Sequence, residues 1–158
     1  MRTRIALAAL PLLALSLAAC GAGSEPSGGA AGAAKKDQQP VRAEVKVVQS
    51  DLGPILADED SNTLYAFVKD KGGKSACAAD CLATWPALTS KKPATAGQGT
   101  DAALLTTITG SESGSQARYG EWPLYYYAAD VTPGDVNGQG VDGEWFVIKA
   151  DGKLMKTE

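Results

Sequence analysis

The chain of 158 residues contains no histidine. That absence removes Ser-His-Asp and Cys-His catalysis, His-ligated haem, and most zinc and copper chemistry. No Gly-Lys-Ser/Thr loop of the kind that cradles phosphates occurs either. No nucleophile stands beside an evident base, so the sequence offers no catalytic residue and argues against an enzyme. Cysteine is scarce, at three residues. Basic charge is in deficit, with 15 Lys+Arg against 18 Asp+Glu, which speaks against a nucleic-acid binder and against a polybasic membrane-surface module. Beyond residue 19 no run is apolar enough to span a bilayer.

What is present begins at the N-terminus. Arg2 and Arg4 precede an apolar run from Ile5 to Ala19 that has the layout of a secretory signal and is short for a mature spanning helix. It ends Leu17-Ala18-Ala19-Cys20. Small residues before a cysteine resemble the lipobox of bacterial lipoproteins, in which the peptide is cut ahead of the cysteine and the new N-terminus is lipidated. The plainer alternative is an ordinary signal peptide with an incidental cysteine. On the lipoprotein reading residues 1–19 are the signal peptide. Cys20 then holds the protein on membrane lipid, at the bacterial cell membrane and facing outside the cytoplasm. Acyl chains anchor by about 0.8 kcal/mol per buried methylene, and stable attachment takes more than one chain.

Residues 20–43 are rich in Gly, Ala, Ser, Pro and Gln. Such a stretch cannot bury enough surface to offset its ordering entropy and reads as a flexible tether. With Arg2 and Arg4 removed, 13 basic residues remain against 18 acidic ones, a net charge of −5. Residues 44–158 are one domain's worth of chain, long enough for a proper core.

That domain repeats itself. Leu64–Asp70 reads LYAFVKD and Leu124–Asp130 reads LYYYAAD. Tyr65 matches Tyr125, Phe67 matches Tyr127, Asp70 matches Asp130 and Trp85 matches Trp145, all at an offset of 60. Two copies are too few for a solenoid and suit the halves of one folded unit, about 52–88 and 112–148. In LYAFV, Leu64, Ala66 and Val68 face one way and Tyr65 and Phe67 the other; LYYYA alternates likewise, which predicts strands covered on both sides. Further strands are predicted at 44–48, 54–58, 103–109, 116–119 and 143–149, separated by turn-rich stretches. The pattern gives an all-β domain of antiparallel strands in two pseudo-repeated halves. One short helical turn, about Ser75–Thr84 with Ser75 as N-cap, lies near the cysteine pair.

LYAFVKD, SACAADCLATWPAL, YGEWPLYYYAAD and PGDVNGQGVDGEWFVI together resemble the secreted bacterial lipoproteins known for a repeated Yx(FWY)xxD motif. The resemblance covers about residues 51–150 and keeps both motif copies; WPAL departs by one residue from the expected WPPL. It implies a secreted repeat and implies no particular activity.

Four sets of residues are candidates for function. The motif residues Tyr65, Phe67, Asp70, Tyr125, Tyr127 and Asp130 include two equivalent carboxylates. Those could meet as an acid/base or cation-binding pair, or each could lock the turn that follows its strand. Cys77 and Cys81, in a compartment that permits disulfides, read as a structural bridge or as a redox pair for electron transfer. A bridge at that spacing requires a distorted helical turn. In the loop 135–144, Asp135, Asn137 and Gln139 alternate as oxygen donors, with Asp142 and Glu144 beyond. This resembles half an EF-hand and is a candidate calcium site, against the plainer reading of a Gly-rich hairpin loop. The ten aromatics, Tyr126 and Trp122 among them, form either an exposed stacking platform or the core. The function expected is that of a non-enzymatic surface domain that binds an envelope component or a small ligand. The alternatives are a calcium-binding module and a redox accessory.

Overall fold

The computed structural model describes residues 42–111 and 114–156. The segments expected as signal peptide and tether, with Cys20, lie outside the described residues up to residue 41. The first strand, β1 (Arg42–Ser50), turns Ala43 and Val45 inward and Arg42 and Glu44 outward, so it takes in two residues that composition assigns to the tether. β2 (Gly53–Asp58) returns antiparallel, with Val45 opposite Asp58 and Ser50 opposite Gly53. There follow β3 (Tyr65–Phe67), α1 (Asp80–Thr84), β4 (Lys92–Ala96), β5 (Leu105–Ser111), β6 (Gly114–Tyr119), β7 (Trp122–Pro123), a 3-10 turn at Val141–Gly143 and β8 (Trp145–Val147). The strands form three small sheets, β2-β1-β4, β3-β8 and β5-β6-β7. All these pairings are antiparallel except β1 with β4, which is parallel.

The doubled sequence folds as a doubled structure. The β1–β2 hairpin leads into the first motif and the β5–β6 hairpin into the second. Each motif is then followed by a helical turn and a tryptophan. The halves exchange partners rather than sitting side by side. β3 pairs with β8, Tyr65 opposite Val147 and Phe67 opposite Trp145. Tyr125 bridges Ala87, the same pairing moved by 60 residues. At the centre the two tyrosines pair with each other: Tyr65 N–H donates to Tyr125 O at 2.8 Å and Tyr125 N–H to Tyr65 O at 3.0 Å. Val68 N–H donates to Glu144 O and Ala128 N–H to Thr84 O, each at 2.9 Å and again related by the same offset.

Four local expectations are corrected. LYYYA is not a strand. Its backbone is bonded on both sides, to Tyr65 and to Pro86, but these neighbours alternate too irregularly for a ladder. The helix spans only Asp80–Thr84 because Ala79 sits at φ 47 and interrupts it. Ser75 is therefore no N-cap; its hydroxyl donates to Cys77 O at 3.1 Å. The predicted strand at 103–109 shifts to Leu105–Ser111, and the one at 143–149 shrinks to Trp145–Val147. β4 has no counterpart among the expected strands. Lys92 and Pro93 suit it to a sheet edge, where a missing donor is tolerated.

The alternation along the motifs is present. Leu64, Ala66 and Leu124 lie in one core cluster with Leu56, Leu88 and Ile148. Tyr65, Phe67 and Tyr125 lie in a second, with Trp85 and Trp145. The two motif segments thus form a partition with apolar cover on both faces. In the second cluster Trp85 and Trp145 stack at 3.8 Å between centroids and 1° between planes. Phe67 stacks on Trp145 at 4.3 Å and Tyr127 on Trp85 at 4.3 Å, so four rings run Phe67, Trp145, Trp85, Tyr127 with the two halves alternating. Tyr65 meets Trp85 edge-on at 5.4 Å and Tyr125 meets Trp145 edge-on at 5.2 Å. Each such pair is worth roughly 0.5–1.5 kcal/mol beyond the burial itself.

Because the two indoles rest on each other, their contributions are coupled. Trp85→Ala and Trp145→Ala should each lower the unfolding free energy by about 3–5 kcal/mol. The double variant should lose less than the sum, by about 0.5–3 kcal/mol. Urea unfolding of the four proteins measures the coupling; simple additivity would contradict the stack.

Candidate functional site

The second motif supplies the clearest constellation. β3 buries Tyr65 completely, and the segment after β7 does the same to Tyr125. A buried phenol needs a partner for its hydroxyl, and each takes it from the other half. Tyr65 donates to Asp130 Oδ2 at 2.6 Å. Tyr125 donates to Asp70 Oδ2 at 2.9 Å. The remaining oxygen of each carboxylate faces its own loop: Asp70 Oδ1 accepts from Ala76 N–H at 2.7 Å, and Asp130 Oδ1 from Asn137 N–H at 3.0 Å. Asp70 N–H donates to Phe67 O and Asp130 N–H to Tyr127 O, which gives both motifs the same closing turn. Ser75 Oγ lies 2.8 Å from the Tyr125 hydroxyl, and Gly138 N–H donates to the Tyr65 hydroxyl at 3.2 Å. Gly138 is close-packed there: a side-chain carbon on it would stand 2.8 Å from the Tyr65 ring.

The two aspartates therefore fasten the loops that follow them, through longer reaches than a two-residue Asx turn. They do not act on one another. Each has the opposite tyrosine as its side-chain partner. Burial pushes the Asp70 carboxyl up to about 6, against the opposing pull of Ala76 N–H and the Tyr125 hydroxyl. The less buried Asp130 is raised in the same direction by burial, opposed by Tyr65 and Asn137. Both tyrosines are raised, first by burial and then by the neighbouring carboxylate. Such phenols remain protonated donors throughout the physiological range.

The other candidates separate. Cys77 and Cys81 are joined, with Cα atoms 5.3 Å apart. The bridge spans the kink at Ala79, which supplies the distorted turn that this spacing requires. The proposed calcium ligands are not gathered. Asp135 Oδ2 accepts from the N–H groups of Val131 and Thr132. The Asn137 side chain donates to Ala129 O. Gln139 donates to Met155 O and accepts from Val147 N–H. Glu144 pairs with Lys69 at 2.6 Å, and Asp142 is exposed on the 3-10 turn. Among the described residues no group of three or more acidic, cysteine or histidine side chains could hold a metal ion. The loop is a succession of turns. All the aromatics except Phe146 lie in or against the core: Trp122 is half-buried, with its indole N–H on Gly152 O at 3.1 Å. Tyr126 is half-buried too, and its hydroxyl donates to Asp58 Oδ2 at 2.9 Å. Burial, then Asp58, raises the Tyr126 phenol.

Sequence reasoning missed that the Tyr–Asp bonds cross between halves, and it missed Asp58. Asp58 is 4% exposed, and it accepts from Asp60, from both nitrogens of Asn62 and from Tyr126. The only trace of it in the sequence is a buried-side acidic residue at the end of a predicted strand.

The burial of Asp70, which outweighs its hydrogen bonds, carries a pH signature. Asp70 has a folded value of about 6, above its ordinary value of 3.8. Its contribution to stability is therefore fully present below about 3.8 and is lost as pH rises through about 6. Relative to Asp70→Asn, the wild type should gain about 2–3 kcal/mol in unfolding free energy between pH 7 and pH 4. Denaturant titrations at both pH values check this, and a constant difference would contradict it. Tyr125→Phe, which leaves only the Oδ2 oxygen of buried Asp70 without its donor, should cost about 1–3 kcal/mol at neutral pH.

Neither a curated protein nor a solved structure matches the chain. A family model described as a secreted repeat of unknown function matches twice, over residues 46–89 and 106–149. The matched stretches are offset by the same 60 residues as the paired tyrosines and the stacked tryptophans, and together they cover more than half of the sequence. The chain belongs to this family of secreted repeats.

Proposed function

We propose that the protein is a lipid-anchored extracytoplasmic lipoprotein whose doubled domain is a rigid, non-enzymatic scaffold that presents its loops to an envelope component or ligand. The observation that supports this reading best is the commitment of the motif. Both tyrosine hydroxyls, and both oxygens of each aspartate, are taken up in joining the halves and fastening the loops. The most distinctive residues of the sequence therefore hold the structure together and offer no reactive group to a substrate. The secreted character of the family supports an extracellular location. Among the described residues no helix is long and apolar enough to cross a membrane. Attachment through Cys20 supplies the anchor on this reading.

The anchor is tested by fractionation. Wild type should pellet with membranes and incorporate radiolabelled palmitate, whereas Cys20→Ala should take up no label and leave the membrane fraction. A Cys20→Ala protein that still pellets would defeat the lipid-anchor reading. The scaffold is tested by Asp130→Asn, which should lower the thermal midpoint and leave the secreted amount and location of surviving folded protein unchanged.

A further inference from the structure

The loop that Asp70 fastens carries an unresolved charge problem of its own. Lys71 and Lys74 face each other across a tight turn, as an antiparallel bridge closed by Lys74 N–H on Lys71 O at 3.1 Å. The two residues between them, Gly72 and Gly73, have φ of 60 and 70, the left-handed pair that a two-residue hairpin demands. Like charges directly opposite on such a pair destabilise it. A third cation lies against the same turn. Arg118 of β6 packs so closely on Gly73 that a side-chain carbon there would collide with the guanidinium. Arg118 Nε donates to Thr106 Oγ1 at 2.9 Å, which holds the head in place, and no hydrogen bond forms on its Nη atoms among the described residues. The ion pairs of the described residues join Lys69 to Glu144 and Lys153 to Asp151 and involve none of the three. Asp70, next in sequence, is turned away, with its oxygens on Tyr125 and Ala76. In a chain of net negative charge, this turn collects three cations, with Lys71 and Lys74 exposed and Arg118 half-buried, and among the described residues no ion pair joins them to an acid.

We propose that Lys71, Lys74 and Arg118 form a binding site for closely spaced phosphate groups on a polyanion. The half-buried Arg118, held by Thr106 and Gly73, presents a planar fork that suits a phosphate's two oxygens. The two lysines, exposed point charges on either side of the turn, take the neighbouring phosphates. A single carboxylate would leave two of the three cations unmatched. A phosphate chain matches all three and relieves the repulsion within the turn. The proposal deepens the scaffold reading and rests on it, by naming the loop that the scaffold presents and the chemistry it binds.

Short-chain inorganic polyphosphate, titrated into the full-length chain in neutral detergent, provides the test. Calorimetry should show saturable binding that weakens steeply with salt. Arg118→Gln should weaken it by about tenfold or more, and Arg118→Lys, which keeps the charge without the fork, should fail to restore it. Lys74→Glu should raise the thermal midpoint of the free protein, by pairing with Lys71, while abolishing the midpoint increase that polyphosphate gives the wild type. Lys153→Gln, outside the site, should bind as the wild type does. Equal losses from Lys153→Gln and Arg118→Gln, or no binding at millimolar polyphosphate, would overturn the site. Phosphorus NMR of the same samples separates the two readings. Cleavage of the polyphosphate would overturn the non-enzymatic scaffold and leave an Arg118-dependent site standing.

Discussion

The structure depends on one requirement: a tyrosine hydroxyl carried to the centre of an apolar partition must still find an acceptor. Tyr65 and Tyr125 are fully buried, and an unpaired hydroxyl at that depth would forfeit roughly 1–3 kcal/mol each. Neither motif can satisfy its own tyrosine with its own aspartate, because the strand carries the ring inward while the closing turn carries the carboxylate away. The opposite half supplies the carboxylate in each case. The duplication is thus a condition of the fold. One half alone would have a buried donor without an acceptor and a buried acceptor without a donor.

The aromatic stack follows from the same arrangement. Once the two tyrosine backbones pair reciprocally at 2.8 and 3.0 Å, the residues 20 positions on in each half return to the same axis, and there the two indoles meet face to face. Equivalent rings that flank a pseudo-twofold axis meet each other, and here both are tryptophan. The outer rings are less constrained. Phe67 and Tyr127 occupy equivalent places in the stack and differ by a hydroxyl that only the half-exposed copy carries.

How much of this was legible in the sequence is best judged from particular residues. The offset of 60 and the alternation of Leu64, Tyr65, Ala66 and Phe67 were enough to give a β fold in two halves with cover on both faces, because periodicity reports burial directly. The cysteine spacing announced a distorted turn, and Ala79 provides it. What the sequence withheld was pairing across the halves. Asp70 and Asp130 invited the thought that equivalent residues meet each other, yet on an exchanged framework equivalent residues meet only when they lie on the axis, as the tryptophans do, and the aspartates lie off it. The candidate cation ligands at 135–144 turn to other partners, and the sequence does not show it for a related reason. Alternate oxygen donors in a Gly-rich loop look alike whether they face an ion or, as with Asp135 and Gln139, the loop's own backbone. β4 went unseen because its KPATA sequence carries no apolar pattern. Its place comes from the edge that β1 offers.

The locks also account for how differently the two halves have come to look. After the same aspartate and the same closing turn, the first half continues as KGGKSACAADC and the second as VTPGDVNGQGV. Each loop is fastened at its base by a carboxylate oxygen on one backbone N–H, and each then needs only one further restraint to return to its tryptophan. In the first half that restraint is the Cys77–Cys81 bridge. In the second it is Gln139, which reaches between Val147 N–H and Met155 O. Covalent and hydrogen-bonded closures are interchangeable here because the tyrosine of the opposite half already fixes where each loop begins. A framework whose invariable contacts are all internal leaves its loops free to differ, and the two basic residues of the first turn stand on that freedom.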